Sequence, residues 1–251
     1  MFSVVNIMRN LLLTLRYNGT SFHGWQIQPN GNTIQEELCN AFRNLSGKEE
    51  NIIGCSRTDA GVHANMFCCN IRTECNVPAE KIPDALNFYL PPEISVYGCE
   101  DVDYEFHARY DCKGKEYVYL IYNGKHRNPF YENKAMFYPY ELDAEMLDNE
   151  AKAFIGTHDF SAFCSVGSSV EDKTREIYDC KVVRNDDVVE IRVSGNGFLY
   201  NMVRIIVGTL LDIQKGKIPK GSIPQIIEGC DRERAGVTAV AHGLYLNKVF
   251  Y

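Results

Sequence analysis

Apolar residues fall along the chain in short blocks between polar turns, and the spacing inside each block predicts its element. Leu11-Leu12-Leu13-Thr14-Leu15-Arg16-Tyr17, closed by Asn18-Gly19, predicts a strand ending in a turn. Thr33 and Glu36 have the spacing of a capping box, and Ile34, Leu38, Ala41, Phe42 and Leu45 follow at helical intervals, so an amphipathic helix is predicted. Ile52-Ile53 and Met66 to Ile71 predict strands on either side of a polar run. A helix is predicted over Pro78 to Tyr89, with Pro83 either in its first turn or breaking it; Pro91-Pro92 ends it, and Ile94 to Cys99 predicts a strand.

The second half repeats the order. Glu116 to Tyr122 alternates as a strand does, and a helix is predicted from near Asp143 with Met146, Leu147, Ala151, Phe154 and Ile155 on one face. Ile177 to Val183 and Val188 to Val193 predict a hairpin around Asn185-Asp186-Asp187, Tyr200 to Ile213 a helix, and Leu244 to Phe250 a last strand. Strand, helix, strand, strand, helix, strand is the order of a split βαβ unit. The predicted fold class is therefore α+β: two similar ferredoxin-like halves, 1–104 and 105–251, whose antiparallel sheets join, with a central active-site cleft. Only element order supports the repeat, since no residue-level repeat is visible.

Composition narrows the class. A hydrophobic fraction of 45% and a charged fraction of 24% are ordinary for a globular protein. The ten cysteines include no Cys-x-x-Cys pair, which supports neither a zinc knuckle nor a disulfide scaffold; buried reduced thiols are expected. Met1 to Asn10 lacks the pattern of a signal peptide, and no apolar run has membrane-spanning length, so a cytoplasmic protein is expected. A net charge of −7 argues against a general nucleic-acid binder but leaves room for a local basic groove, for which Arg57, Arg109, Lys115, Lys125, His126, Arg127 and Arg204 are among the candidates.

The polar run between the strands, Gly54-Cys55-Ser56-Arg57-Thr58-Asp59-Ala60-Gly61-Val62-His63-Ala64, sets a cation, a carboxylate, two hydroxyls and an imidazole between two glycines. Such a loop bends sharply and comes close to a ligand, although spacing alone more often describes an Asx turn with a surface ion pair. Phe106-His107-Ala108-Arg109-Tyr110 and Lys113-Gly114-Lys115-Glu116-Tyr117-Val118-Tyr119 interleave cations with rings, which suits phosphates and bases together, or an ordinary half-buried strand. Arg204 follows Gly195-Asn196-Gly197-Phe198 in an apolar helix, where it needs an anionic partner or a route to solvent.

Arg57-Thr58-Asp59-Ala60-Gly61-Val62-His63-Ala64 resembles the active-site motif of the tRNA pseudouridine synthase A family. Phe22-x-Gly24-Trp25-Gln26, Phe106 to Arg109, Lys115-x-Tyr117-x-Tyr119, Gly156 to Phe160 and Gly236 to Tyr245 extend the resemblance over nearly the whole chain. Ser56 stands where that family usually has glycine, Val237 and Val240 where it commonly has prolines, and Asn18 where it commonly has aspartate. The resemblance implies an enzyme that isomerises uridine in the tRNA anticodon stem-loop, just 3′ of the anticodon, as a homodimer without cofactor, metal or membrane. It makes Asp59 the essential carboxylate, Arg204 the cation that pairs with it and keeps it ionised, Arg57 the filler of the space a flipped base leaves, and Tyr117 the ring against the uracil. Leu244 would form apolar wall, and Arg109, Lys115, Phe198 and His63 would bind substrate. A paralogue acting on other uridines or another RNA is the main alternative, and a non-catalytic RNA-binding protein ranks lower. A retaining glycosidase would need a second carboxylate that no motif supplies.

Overall fold

The computed structural model describes residues 8–168 and 170–251; residues 1–7 of the amino-terminal stretch read for a targeting segment lie outside them. The chain divides into two compact units, one running to Lys113 and including Leu246–Tyr251, the other Gly114–Tyr245. The division therefore falls nine residues beyond the expected boundary at 104, and the last strand goes with the first unit. The reason is pairing between residues far apart in sequence: Lys113 N–H donates to Phe250 O at 2.8 Å, and Tyr251 OH donates to Ala108 O at 2.8 Å.

The first unit contains β1 (Arg9–Tyr17), α1 (Ile34–Ser46), β2 (Ile52–Gly54), β3 (His63–Thr73), α2 (Ile82–Tyr89) and β4 (Ile94–Val102). Strand β1 lies between β3 and β4, antiparallel to both, and β2 pairs antiparallel with β3. Strands β1 and β2, joined through α1, are thus separated in the sheet by β3, and β3 and β4, joined through α2, by β1. In the register Leu11 faces Ile71, Leu13 faces Cys69 and Leu15 faces Phe67. All six are fully buried, forming one apolar sheet face, as the period of two requires. The capping box closes as expected, with Thr33 Oγ1 accepting from Glu36 N–H at 3.3 Å, and Gly47 ends α1 in the left-handed region. Pro83 sits in the first turn of α2, preceded by a 3-10 turn over Ala79–Lys81, so the predicted 78–89 helix is two short pieces.

The second unit contains β5 (Gly114–Tyr122), β6 (Met136–Phe137), α3 (Ala144–Ala151), β7 (Gly156–Asp159), β8 (Thr174–Asn185), β9 (Val188–Gly195), α4 (Met202–Gln214) and α5 (Ile223–Gly229); β10 (Leu244–Phe250) starts at its end. Its sheet runs β5-β9-β8-β7, antiparallel throughout, with β6 parallel to the end of β5. The hairpin forms as predicted, turning through Asp186 with φ 51° and Asp187. The third helix is shorter than its apolar spacing predicts. After Ala151 the chain tightens into a 3-10 turn at Lys152–Phe154, and Ile155, expected on the buried face, is 41% exposed. Strand β7 and helix α5 carry too few residues to show a period in the sequence.

Candidate functional site

The loop carrying Asp59, residues 55–62, is tied to the core from both ends. Cys55 N–H donates to Cys68 O at 2.8 Å, and Tyr17 OH and Thr58 Oγ1 lie 2.8 Å apart, both buried. A second segment clamps it: Trp25 N–H donates to Thr58 O at 3.1 Å and Gly61 N–H to Phe22 O at 3.3 Å. Within the loop Val62 N–H donates to Asp59 O at 3.2 Å, which closes a turn around Ala60 and Gly61, the latter at φ 77°. The clamp is anchored by the indole of Trp25, stacked on Phe67 with centroids 4.1 Å apart. Asp59 is left half-exposed and Arg57 exposed at the end of this braced turn.

Two glycines are required for that approach. A Cβ on Gly24, at φ 88°, would lie 2.4 Å from Thr58 O, and one on Gly19 would lie 2.0 Å from Val62 O. Nothing in the spacing of Phe22-x-Gly24-Trp25-Gln26 shows that this segment holds the Asp59 loop; Gly24 within a motif is the available signal. His63 is placed differently from its expected substrate role. It opens β3, is 1% exposed, and accepts from Gly19 N–H through Nδ1 at 3.0 Å, so it braces the turn.

Arg109 sits in a turn that two buried asparagines hold. Asn10 Nδ2 donates to the carbonyls of Asp103, Tyr104 and Phe106 at 3.0, 3.2 and 2.8 Å, and Asn70 Oδ1 accepts from Ala108 N–H at 2.9 Å. Asn70 Nδ2 also donates to Asn10 Oδ1 at 2.9 Å, so two polar residues inside an apolar strand pair are satisfied by one network. Arg109 itself is exposed. The alternating pattern hid this, because Asn10 and Asn70 read only as polar positions.

In the second unit, Tyr117 on β5 is 7% exposed and meets Phe198 edge to face, with centroids 5.0 Å apart. Lys115, two residues earlier, pairs in register with Gly195 at the end of β9. Arg204 lies in the first turn of α4. Its Nε donates to Ala239 O at 2.6 Å and its Nη1 to Asn201 Oδ1 at 2.8 Å, so the guanidinium plane is fixed from two sides. Asn201 is left-handed, at φ 60°, and its amide donates to Ser165 Oγ at 3.0 Å.

The segment supplying Ala239 is pressed against α4 through two glycines. A Cβ on Gly208 would lie 1.7 Å from Val237 O, and Gly236 N–H donates to Thr209 Oγ1 at 2.8 Å. Val237, 62% exposed, donates its N–H to Asp212 Oδ2 at 3.3 Å, a bond that proline could not make. Farther along, Tyr119 OH donates to Val240 O at 2.8 Å, and its ring leaves no space for a Cβ on Gly243. Leu244, next in the chain, is buried. Lys115 and Tyr117 thus lie on β5, Arg204 on α4 and Leu244 at the start of β10, with Phe198 in the stretch between β9 and α4.

Among the described residues, no group of three or more His, Cys, Asp or Glu side chains is placed to hold a metal ion, and no helix is long and apolar enough to cross a membrane. A family model described as tRNA pseudouridine synthase matches residues 14–111 and 151–251. Proteins named tRNA pseudouridine synthase A from Thermoanaerobacter sp. (strain X514) and Acetivibrio thermocellus are each 46% identical over 244 residues, covering 97% of this chain and 100% of theirs. The protein of that name from Clostridium acetobutylicum is 43% identical over the same length. The solved Cbf5-Nop10-Gar1 complex matches 97% of this chain and 58% of its own at 13% identity and a TM-score of 0.39, a likeness too distant to bear on chemistry. With the motif loop, its clamp and full-length relatives in agreement, this chain belongs to the tRNA pseudouridine synthase family.

Proposed function

We propose that this chain isomerises uridine to pseudouridine in tRNA and that Asp59 is the carboxylate on which the reaction depends. The observation that carries this reading is the double clamp on residues 55–62: backbone bonds from Phe22 and Trp25 hold the peptide on either side of Asp59, while its side chain stays half-exposed. A surface Asx turn needs no such bracing, whereas a reacting group has to be held in place.

The reaction conserves atoms. The C1′–N1 bond breaks, the uracil turns, C1′ bonds to C5, and the proton lost from C5 is balanced by one gained at N1, so no cofactor is consumed. Asp59 serves as nucleophile at the sugar or base, or as the base that starts elimination from the sugar; each begins from the ionised carboxylate. Arg204 is proposed as the cation that balances that charge, a role resting on the motif resemblance, and its two hydrogen bonds suit it to a fixed position.

A stacked uridine reaches such a carboxylate only when flipped out. Arg57, exposed two residues before Asp59, fits the role of filling the space left behind. Tyr117, propped by Phe198, offers a ring to the uracil, Leu244 an apolar contact, and Arg109 and Lys115 cations to the backbone. His63 is proposed to act through its brace on Gly19. The target is proposed to lie in the anticodon stem-loop just 3′ of the anticodon, and the working form to be a cytoplasmic homodimer.

Mapping pseudouridine in tRNA from cells lacking and then regaining the protein tests this reading. Loss and return of pseudouridine 3′ of the anticodon is expected. Return at other uridines would instead establish the paralogue reading, and tRNA binding with no pseudouridine formed would establish the RNA-binding one.

A further inference from the structure

Between β5 and β6 the chain leaves the sheet for residues 123–135, carrying Lys125, His126 and Arg127 and then Phe130. Phe130 is 86% exposed. A single exposed ring is common on protein surfaces. This one differs in being held out on a rigid support beside cations. At the base of the excursion, Asn123 Nδ2 donates to Tyr138 O at 2.6 Å and Tyr140 O at 2.8 Å, while its Oδ1 accepts from Arg184 Nη2 at 2.8 Å. Asn128 Oδ1 caps the turn over Pro129–Tyr131 by accepting from Phe130 N–H at 3.0 Å. Tyr131, next to Phe130, is stacked on Tyr122 with centroids 4.8 Å apart and planes at 14°. On the far side Tyr245 OH donates to Lys134 O at 2.7 Å. The neighbours of Phe130 are thus tied down while its own ring projects.

From this geometry we infer that Phe130 is an RNA-contacting residue: its ring stacks on an unpaired nucleobase while Lys125 and Arg127 meet the adjoining phosphates. The inference rests on the reading that the substrate is tRNA. A pre-positioned ring loses little freedom on stacking, and every base has a face to offer it. Lys125 and Arg127 are exposed within five residues of the ring, and Glu132 is the one carboxylate in the excursion, so the loop is positive in a chain of net charge −7. That sign fits a phosphate backbone.

The test measures binding of an unmodified tRNA transcript and steady-state turnover for the full-length protein, Phe130→Ala and Phe130→Trp. For Phe130→Ala, Kd and KM are expected to rise about tenfold, the size of one lost base–ring stack, with kcat unchanged at saturation. Far-UV circular dichroism should not change, because the ring is not in the core. Phe130→Trp should bind as the wild type does, and its added emission should be quenched by tRNA while that of buried Trp25 is not. Lys125→Ala and Arg127→Ala should each lower the salt dependence of log Kd by about one. Wild-type Kd for Phe130→Ala, or a change in its sedimentation as a dimer without a change in RNA affinity, overturns the inference. Normal tRNA binding by a wild type that forms no pseudouridine would overturn the functional reading and leave this one to the binding data.

Discussion

The backbone N–H of Trp25 donates to the carbonyl of Thr58 at 3.1 Å, so the residue beside Asp59 hangs from one whose indole is stacked in the core. The carboxylate's position is thereby fixed by packing some distance from it. Its consequences are measurable.

Gly24→Ala should displace the Asp59 loop without touching Asp59. The new methyl meets Thr58 O at 2.4 Å, and φ 88° is strained for alanine. A loss of roughly 1–3 kcal/mol is expected in urea unfolding, with kcat reduced more than tRNA affinity. Unchanged stability and turnover would mean that the clamp does not position the loop.

Asp59→Asn keeps size and shape but removes the negative charge and the nucleophilicity. Single-turnover pseudouridine formation should disappear, while tRNA affinity stays within about twofold of wild type, because an interaction made only in the transition state adds nothing to ground-state binding. Substantial product from the folded variant would dismiss Asp59 as the essential group.

Arg204→Lys keeps the charge and loses the fork. An ammonium cannot reproduce the planar pair of bonds to Ala239 O and Asn201 Oδ1, so single-turnover rates should fall by about tenfold or more, with the protein still folded. If lysine supports the full rate, charge alone suffices and the two-sided fixation is incidental.

His242, two residues before Leu244, provides a pH test. Burial lowers its pKa below the usual 6.5, against a smaller opposing effect of Glu132. The folded state therefore favours the neutral ring, and its contribution to stability is present above 6.5 and lost as pH falls through the lower, folded value. Proton NMR should show His242 titrating below 6.5, and His242→Asn should flatten that part of the stability profile. Titration at or above 6.5 would remove the argument.

The chain by itself determined most of the elements and the identity of the motif loop. Long apolar periods such as Leu11 to Tyr17, and a capping box such as Thr33 with Glu36, act over a few residues, so their outcome is local and readable. Eight consecutive residues from Arg57 to Ala64 identified the loop, because motif chemistry lies in contiguous side chains. What only the tertiary structure decided are the supports. The bond from Trp25 N–H to Thr58 O spans 33 positions and that from Ala239 N–H to Arg204 O spans 35, and neither leaves a period behind, since backbone donors and acceptors are the same for every non-proline residue. His63 reads as a polar loop residue until β3 is seen to begin there and bury it against Gly19. The last strand could not be assigned to a unit from its own residues, because its partners are chosen by long-range backbone pairing.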